Sequence, residues 1–245
     1  MGSVRHLPRT LLTLTAGVLA TLVASAVVIV ASRLRPASPV IEKTARAWSR
    51  VWLGAAGVEL QVTGGDNIDQ GRSYVVVANH TSTLDIMACF VAVPIPIRFL
   101  AKKELFRVPI LSSAMRAIGI VEVDRTARAA VHEQINSRAK HLVATGRSLI
   151  IYPEGTRSLD GSLGSFKKGA FTIAVGSRLP ILPVSIHGSA HAWPARSMLV
   201  RGGKIKVGID PALETNGMTQ GDTGRLRDTT HDIIAKRLAD LAGQS

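Results

Sequence analysis

The feature that most constrains this chain is an uncharged apolar segment near its amino terminus, from Leu11 to Ala31. As a helix, these 21 residues extend about 31 Å, close to the roughly 30 Å hydrocarbon core of a bilayer. A cleaved signal peptide is the alternative, because Ala24-Ser25-Ala26 has the form of a cleavage site. The apolar run continues past that site, which favours a retained membrane anchor. Whether the helix spans the bilayer or dips into one leaflet stays open.

A second, amphipathic helix is predicted after this segment. Pro36 and Pro39 interrupt the first helix, and apolar residues then recur at helical spacing between Val40 and Gly57. Trp48 and Trp52 lie on the apolar face of this helix, which suits either the membrane interface or the core of the protein. Both interpretations place the helix between the anchor and the rest of the chain.

Positive charge indicates how the anchor is oriented. More basic residues follow the apolar segment than precede it, and those that follow are Arg33, Arg35, Lys43, Arg46 and Arg50. Because positive flanks stay on the cytoplasmic side, we expect a cell-membrane protein with a cytoplasmic carboxyl-terminal part. The predicted organisation is a membrane-anchoring segment at residues 1–57 and a second domain at residues 58–245.

The second domain alternates between strand-like and helix-like patterns, which predicts α/β architecture. The strand-like runs are nearly continuous in Val, Ile and Leu, as in a largely parallel sheet covered by helices on both faces. Predicted strands are Glu59 to Thr63, Tyr74 to Ala78, Arg98 to Ala101, Ile120 to Val123, Ser148 to Tyr152, Ile181 to Ile186 and Lys204 to Ile209. Predicted helices are Thr83 to Val93, Pro109 to Ile118, Ala127 to Ala144, Lys168 to Gly176 and Arg225 to Ala242.

The chain is strongly basic, with 30 Lys and Arg against 17 Asp and Glu and a net charge of +13. Such a charge fits an anionic membrane surface, an acidic substrate or nucleic acid. Nucleic acid is disfavoured, because the basic residues are dispersed and lack interleaved aromatic residues for base stacking. The single cysteine, Cys89, lies in an apolar stretch and is expected to be a packed side chain rather than a nucleophile.

A candidate general base follows the second predicted strand. His80 and Asp85 stand at the point where that strand ends and a helix begins. Asp85 can complete a helix-capping box with Ser82, which is the purely structural interpretation. It can also orient His80, fix its tautomer and stabilise the imidazolium as the other ring nitrogen accepts a proton.

A second motif, Tyr152-Pro153-Glu154-Gly155-Thr156-Arg157, follows another buried strand. Gly155 allows the backbone to approach a ligand, and Arg157 can bind two phosphate oxygens. Arg125 and Lys102 follow two further predicted strands and can add positive charge. Because parallel strands end at the same edge of a sheet, we expect these groups to share one crevice with His80.

These motifs together resemble the glycerolipid acyltransferases, and among them most closely the bacterial 1-acyl-sn-glycerol-3-phosphate acyltransferases. Four blocks carry the resemblance in order, over roughly Val58 to Ile209. They are Asn-His-x-Ser-x-x-Asp at 79–85, Gly-x-Val-x-Val-Asp-Arg at 119–125, Tyr-Pro-Glu-Gly-Thr-Arg-Ser at 152–158 and Leu-Pro-Val at 182–184. Tyr152 stands where Phe is common in the family, a difference expected to matter little.

The resemblance implies an acyl transfer that forms phosphatidic acid for phospholipid biosynthesis. His80 would remove the proton from the free hydroxyl of lysophosphatidic acid, and Asp85 would hold His80. The hydroxyl would attack acyl-CoA or acyl-carrier protein directly, with no cofactor and no metal. The substrate phosphate would be bound by Arg125, Arg157 and Lys102. Further implied substrate-site residues are Glu154, expected to orient Arg157 or another cation, Gly155, Thr156, and Pro183, expected to shape the pocket.

Three alternatives remain open. The acceptor can be another lysolipid, such as a lyso-ornithine lipid or a lysophospholipid with a head group. The chain can be a non-catalytic lipid-binding protein, although His80, Asp85 and Arg157 together argue against that. A basic membrane protein that binds nucleic acid has only the net charge in its favour. Acyl-chain length, donor type and oligomeric state do not follow from the motifs.

Overall fold

The computed structural model describes residues 4–35, 38–123 and 145–243. Predicted helix Ala127 to Ala144 and Arg125 therefore lie outside the described residues. The helices are α1 (Leu7–Leu34), α2 (Pro39–Ala55), α3 (Leu84–Ala92), α4 (Leu111–Ile118), α5 (Gly169–Ser177), α6 (Ser189–Ala192) and α7 (Thr223–Gly243). The strands are β1 (Val58–Thr63), β2 (Val75–Ala78), β3 (Ile97–Lys102), β4 (Val121–Val123), β5 (Ser148–Ile151), β6 (Ile181–His187) and β7 (Gly203–Ile209).

The strands form one mixed, largely parallel sheet in the order β1-β7-β6-β2-β5-β3-β4. The β6–β7 pair alone among the described pairs is antiparallel. Strands β2 and β5 are buried along their whole length, as their unbroken apolar runs predict. The predicted α/β architecture is confirmed, and each predicted strand ends within one residue of its observed bounds.

Helices cover both faces of the sheet. On one face, α2 and α3 share a core with the sheet residues that include Val76, Ala78 and Leu182. On the other face, α5 and α7 pack on residues that include Val75 and Val77. Successive residues of β2 thus serve opposite cores, which is the two-residue period of a strand. Helix α6 was not predicted, because its four residues are too few to show a periodic pattern.

Helix α2 is part of the core. Its buried residues Ile41, Ala45, Ser49 and Leu53 recur at helical spacing. Ser38 caps the helix by accepting a hydrogen bond from the Val40 N–H at 3.3 Å. The sequence allowed this amphipathic helix to lie at the membrane interface or in the protein core. Its buried face shows that it packs against the protein.

Helix α1 lies along α2 rather than standing apart from it. Gly17 contacts Trp52 so closely that a Cβ at residue 17 would lie 2.3 Å from the indole ring. Thr21 Oγ1 accepts a hydrogen bond from Trp48 Nε1 at 2.9 Å. Near the other end, Thr10 Oγ1 accepts one from the Val200 N–H at 2.9 Å. The side of α1 that faces away from these contacts is exposed and apolar.

By length and composition, α1 can cross a membrane, with a mean hydropathy of 2.4. Among the residues that the structure describes it is the one helix with this property. Its exposed apolar residues are Leu7, Leu11, Leu12, Val18, Leu19, Leu22, Val23, Val27, Val30 and Leu34. This surface, the α1 apolar face, fits contact with lipid better than contact with water.

A buried ion pair joins α2 to the sheet. Arg98 on β3 has no exposed surface, and its guanidinium pairs with both carboxylate oxygens of Glu42. Arg98 also donates to the carbonyls of Ile97 and Ile118. A buried guanidinium is tolerable because four acceptors satisfy four of its five N–H donors. The position of α2 is thereby coupled to the strand that ends at Lys102.

Candidate active site

His80 and Asp85 meet at the carboxyl end of β2. His80 lies in the loop after this strand, and its Nδ1 is 2.9 Å from Asp85 Oδ2. The same oxygen accepts the backbone N–H groups of Thr81 at 2.7 Å and Ser82 at 2.8 Å. Ser82 Oγ in turn accepts the Leu84 N–H at 3.2 Å. One carboxylate therefore both supports the helix start and orients the imidazole, so the two sequence interpretations hold together.

This hydrogen bond determines the tautomer of His80. The Asp85 carboxylate can only accept, so Nδ1 carries the hydrogen and Nε2 keeps its lone pair. The His80 side chain is 16% exposed, which leaves the imidazole within reach of a substrate. Nε2 can therefore accept a proton from a hydroxyl group placed against it.

Asp85 itself is fully buried. Three N–H groups compensate its Oδ2, and its place in the first turn of α3 adds the favourable field of a helix amino terminus. Its Oδ1 is buried with no hydrogen-bond partner in the described part of the chain. All of the described hydrogen bonds to this carboxylate are thus made by the oxygen that faces His80.

Glu154 binds the backbone of the base. Its Oε1 accepts the His80 N–H at 2.7 Å and its Oε2 accepts the Gly164 N–H at 3.0 Å. Burial raises the pKa of Glu154, and the two N–H donors partly oppose that rise. Both Glu154 oxygens thus accept backbone N–H groups, whereas Arg157 Nη1 donates to Thr83 Oγ1 at 2.8 Å. The expectation that Glu154 orients Arg157 is not met by these contacts, and an orienting role towards another cation stays a prediction.

The base-carrying loop has further anchors that sequence reasoning missed. Asn79 makes two hydrogen bonds to the backbone of Ile186 on β6: its Oδ1 accepts the Ile186 N–H at 2.8 Å and its Nδ2 donates to the Ile186 carbonyl at 2.9 Å. Thr81 Oγ1 lies 2.8 Å from Ser189 Oγ, and Ser82 Oγ donates to the Trp193 carbonyl at 2.7 Å. Asn79 and Thr81 belong to the first motif, and this position is the sequence feature that could have identified them. Sequence reasoning assigned roles only to His80, Ser82 and Asp85.

Gly155 has a conformation that favours glycine, with φ at +76°. A Cβ at this position would lie 2.6 Å from Lys167 Nζ. Lys167 is exposed, and its ammonium group therefore reaches the turn that carries Thr156 and Arg157. Sequence reasoning gave Lys167 no role, since only the fold brings it to Gly155.

The other predicted substrate-site residues divide into two groups. Thr156 and Arg157 are exposed after β5, and Lys102 is exposed at the end of β3. Since β2, β5 and β3 are parallel neighbours, these residues share the sheet edge of His80. Pro183 is buried in β6, paired with Val77, one residue before the carboxyl end of β2. Arg125 lies outside the described residues.

The thiol of Cys89 is not available as a nucleophile. It is fully buried on α3, and burial together with the charge of Asp85 raises its pKa. A raised thiol pKa keeps the sulfur protonated, whereas the thiolate is the reactive form. Within residues 4–35, 38–123 and 145–243, no three His, Cys, Asp or Glu side chains are grouped to hold a metal ion.

A protein-family model described as Acyltransferase matches residues 59–187, more than half of the 245-residue chain. The chain is 27% identical over 197 residues to the 1-acyl-sn-glycerol-3-phosphate acyltransferase of Borreliella burgdorferi, covering 80% of this chain and 78% of that protein. It is 27% identical over 201 residues to the enzyme of the same name from Pseudomonas aeruginosa, covering 80% and 76%.

The fold also matches a solved structure. The crystal structure of the 1-acyl-sn-glycerophosphate (LPA) acyltransferase PlsC from Thermotoga maritima superposes with a TM-score of 0.86 at 27% identity. The match covers 99% of this chain and 98% of that chain. The alignment thus extends over the amino-terminal helices as well as the sheet, and the resemblance predicted from the four motifs is confirmed.

Proposed function

Because the chain belongs to the acyltransferase family, we propose that it acylates the free hydroxyl of 1-acyl-sn-glycerol 3-phosphate and so forms phosphatidic acid. The observation that carries the proposal is the His80–Asp85 pair at the carboxyl edge of the sheet, with Arg157 bound to the same loop. The names of its relatives from Borreliella burgdorferi and Pseudomonas aeruginosa support this acceptor. The donor is a thioester, either acyl-CoA or acyl-carrier protein.

The chemistry follows from the tautomer of His80. Nε2 takes the proton of the acceptor hydroxyl while its oxygen forms a bond to the thioester carbonyl carbon. The tetrahedral intermediate then expels the thiolate, which takes the proton from His80. Asp85 stabilises the imidazolium between the two steps. The base contributes about 10²–10⁴-fold to the rate, and no acyl-enzyme forms.

Cations at the same edge would bind the phosphate of the acceptor. A guanidinium carries five N–H donors, so the bond from Arg157 to Thr83 leaves others for phosphate oxygens. That bond also fixes Arg157 to the residue just before α3, and hence to the loop of His80. Lys167 and Lys102 add positive charge, and Arg125 stays a prediction from the motif. Glu154 would support this site through the backbone.

The α1 apolar face supports a location on the membrane surface. Thr10 and Thr13 at one end of α1 bond to Val200 and Ala55, while α4 contacts α1 as well. A helix held along the domain in this way would enter one leaflet sideways rather than cross the bilayer. The net charge of +13 would add attraction to the anionic cytoplasmic leaflet, where both soluble donors are available.

The decisive experiment is an acyl-transfer assay of the purified full chain in phospholipid vesicles. Lysophosphatidic acid is offered with a panel of acyl-CoA and acyl-carrier-protein thioesters, and the product is identified by mass. Parallel reactions contain lyso-ornithine lipid or lysophosphatidylethanolamine as acceptor. We expect phosphatidic acid as the main product. A higher kcat/KM with another lysolipid would replace the acceptor, and no transfer to any of them would refute the acyltransferase proposal.

Two variants test the assigned roles. His80→Ala should lower kcat by at least about 10²-fold with the fold retained, whereas His231→Gln on α7 should not. Arg157→Ala should raise KM for lysophosphatidic acid much more than KM for the thioester. Arg227→Ala removes a surface arginine on α7 and serves as its control. Equal effects of Arg157→Ala on both KM values would exclude phosphate binding as its main role.

A further inference from the structure

The ring of Tyr152 lies flat against the imidazole of His80. The two ring centroids are 4.0 Å apart and the planes differ by 12°. Tyr152 is the first residue after β5, and His80 follows the neighbouring strand β2. Aromatic faces at this separation are in van der Waals contact, so Tyr152 covers one face of the imidazole.

The hydroxyl group of Tyr152 is tied to the helix that carries Asp85. It donates a hydrogen bond to Cys89 Sγ at 3.8 Å. Cys89 follows Asp85 by four residues, about one turn of α3. Burial raises the pKa of both the Tyr152 hydroxyl and the Cys89 thiol, so both stay protonated. The tyrosine ring is thus held from the side opposite its backbone.

An aromatic neighbour holds the same ring from β3. Phe99 lies 6.0 Å from Tyr152 between ring centroids, and Phe90 on α3 lies 5.0 Å from Phe99. Phe99 does not contact His80 through any ring pair in the described part of the chain. Of the rings of Phe90, Phe99 and Tyr152, the Tyr152 ring is therefore the one that contacts His80.

We propose that Tyr152 is a positioning residue for the base, a role that rests on the proposed acyl transfer. The bond from Nδ1 to Asp85 fixes one direction in the imidazole plane but permits rotation about that direction. A ring packed flat on the imidazole face opposes this rotation, because turning the imidazole would drive its edge into the tyrosine. Together the two contacts aim the lone pair of Nε2 at one point.

The covered face also restricts how substrate arrives. Water and the acceptor cannot approach the imidazole through the tyrosine. The lone pair of Nε2 lies in the ring plane, so the hydroxyl must meet it near that plane. Small errors in such an approach are costly, since a displacement of about 1 Å can lower a rate by about 10²-fold. The proposal therefore predicts an effect on kcat rather than on substrate affinity.

Three variants of the full chain in vesicles test it. Tyr152→Leu removes the flat ring and Tyr152→Phe retains the ring without the hydroxyl. Phe171→Leu, in the core on the other face of the sheet, removes a buried ring that contacts neither His80 nor Tyr152 in the described ring pairs and is the packing control. We expect Tyr152→Leu to lower kcat by about 10–100-fold with both KM values changed less than about twofold. Tyr152→Phe should recover most of the loss, and Phe171→Leu should retain kcat within about threefold.

The kinetic results for these variants distinguish the positioning role of Tyr152 from the acyl transfer itself. If the wild-type chain is active, His80→Ala is inactive and Tyr152→Leu matches wild type, the positioning role is wrong and the transfer stands. A kcat loss in Phe171→Leu equal to that in Tyr152→Leu would likewise overturn it, because general core packing would then explain both. A Tyr152→Phe variant as impaired as Tyr152→Leu would exclude the ring face as the cause.

A measurement without catalysis tests the stacked geometry independently of the transfer. In chain labelled with ¹³C-histidine, the ring protons of His80 should show an upfield ring-current shift from the stacked tyrosine. The signal is assigned by its loss in His80→Ala. The shift should persist in Tyr152→Phe and disappear in Tyr152→Leu. Its absence from the wild-type spectrum would contradict the stacked arrangement, and with it the positioning role.

Discussion

Glu154 holds His80 by its backbone: the carboxylate Oε1 accepts the His80 N–H at 2.7 Å. The loop returns the contact, because the Ser158 N–H donates to the His80 carbonyl at 2.8 Å. The peptide units on both sides of the base are therefore bound to the motif that carries Arg157. Two segments about seventy residues apart in sequence form one rigid unit, in which the base and the proposed phosphate site keep a constant separation.

Glu154→Gln is the first prediction. The amide keeps one acceptor oxygen but presents an NH₂ group to either His80 or Gly164, so one of the two backbone bonds is lost. We expect the free energy of unfolding to fall by about 1–3 kcal/mol and kcat to fall more than either KM changes. Urea titration and steady-state kinetics measure these effects, with exposed Asp160→Asn as the control. A rise in KM for lysophosphatidic acid alone would indicate direct substrate contact instead.

The raised pKa of Glu154 predicts a pH dependence of stability. Burial favours the neutral carboxyl, so the unfolded chain loses this proton first as pH rises. The contribution of Glu154 to stability is therefore fully present below its ordinary value of 4.5 and is lost as pH rises through the folded-state value. The difference in unfolding free energy between wild type and Glu154→Gln should decline across this range. An increase with pH would mean that the pKa is lowered.

Asp85→Asn should separate the structural task of this side chain from its catalytic one. The amide has nearly the same shape, and its oxygen can still accept the three N–H groups that bond to Oδ2, but it carries no negative charge. We expect kcat to fall by about 10²–10⁴-fold, since the imidazolium loses its counter-charge. Circular dichroism should show that the helices persist. Activity near wild type would show that His80 needs no carboxylate partner.

The Arg98–Glu42 pair should be much more costly to break than to replace. Glu42→Gln leaves the buried guanidinium without a counter-charge, and Arg147 nearby, whose pKa is lowered chiefly by burial and also by Arg98, offers no relief. We expect about 3–5 kcal/mol of lost stability for Glu42→Gln or Arg98→Met. The double variant Arg98→Met/Glu42→Leu should recover much of that loss. Additive losses in this double-mutant cycle would show that the two residues do not interact.

The packing of α1 on α2 can be tested with two glycines. Gly17→Ala puts a methyl group 2.3 Å from the Trp52 ring, so the helices must separate. Gly54→Ala on α2 meets nothing within 4 Å and should stabilise the chain by about 0.5–1 kcal/mol. We expect a changed tryptophan emission spectrum and weaker vesicle binding for Gly17→Ala only. The same emission spectrum in both variants would mean that α1 does not rest on Trp52.

Much of the candidate site was predictable because its signals are local. His80 directly after a strand, with Asp85 in the next helical turn, forms a geometry that a few consecutive residues determine. The hydrogen bond between them needs only the turn that the backbone makes there. The turn at Gly155 was equally predictable, because a positive φ depends on the residue type at one position. The contacts of Glu154 and Tyr152 with His80 were not, because each joins residues more than seventy positions apart.

The sequence by itself determined the strands and helices, since burial on both faces of β2 and β5 requires the apolar runs that mark them. It also determined which residue types stand at the strand ends. Only the tertiary structure decided that β7 lies between β1 and β6, that Glu42 neutralises Arg98, and that the ring of Tyr152 covers His80. The local sequence pattern indicates whether a residue is buried. Which residue it then contacts depends on the distant segments that the whole fold brings together.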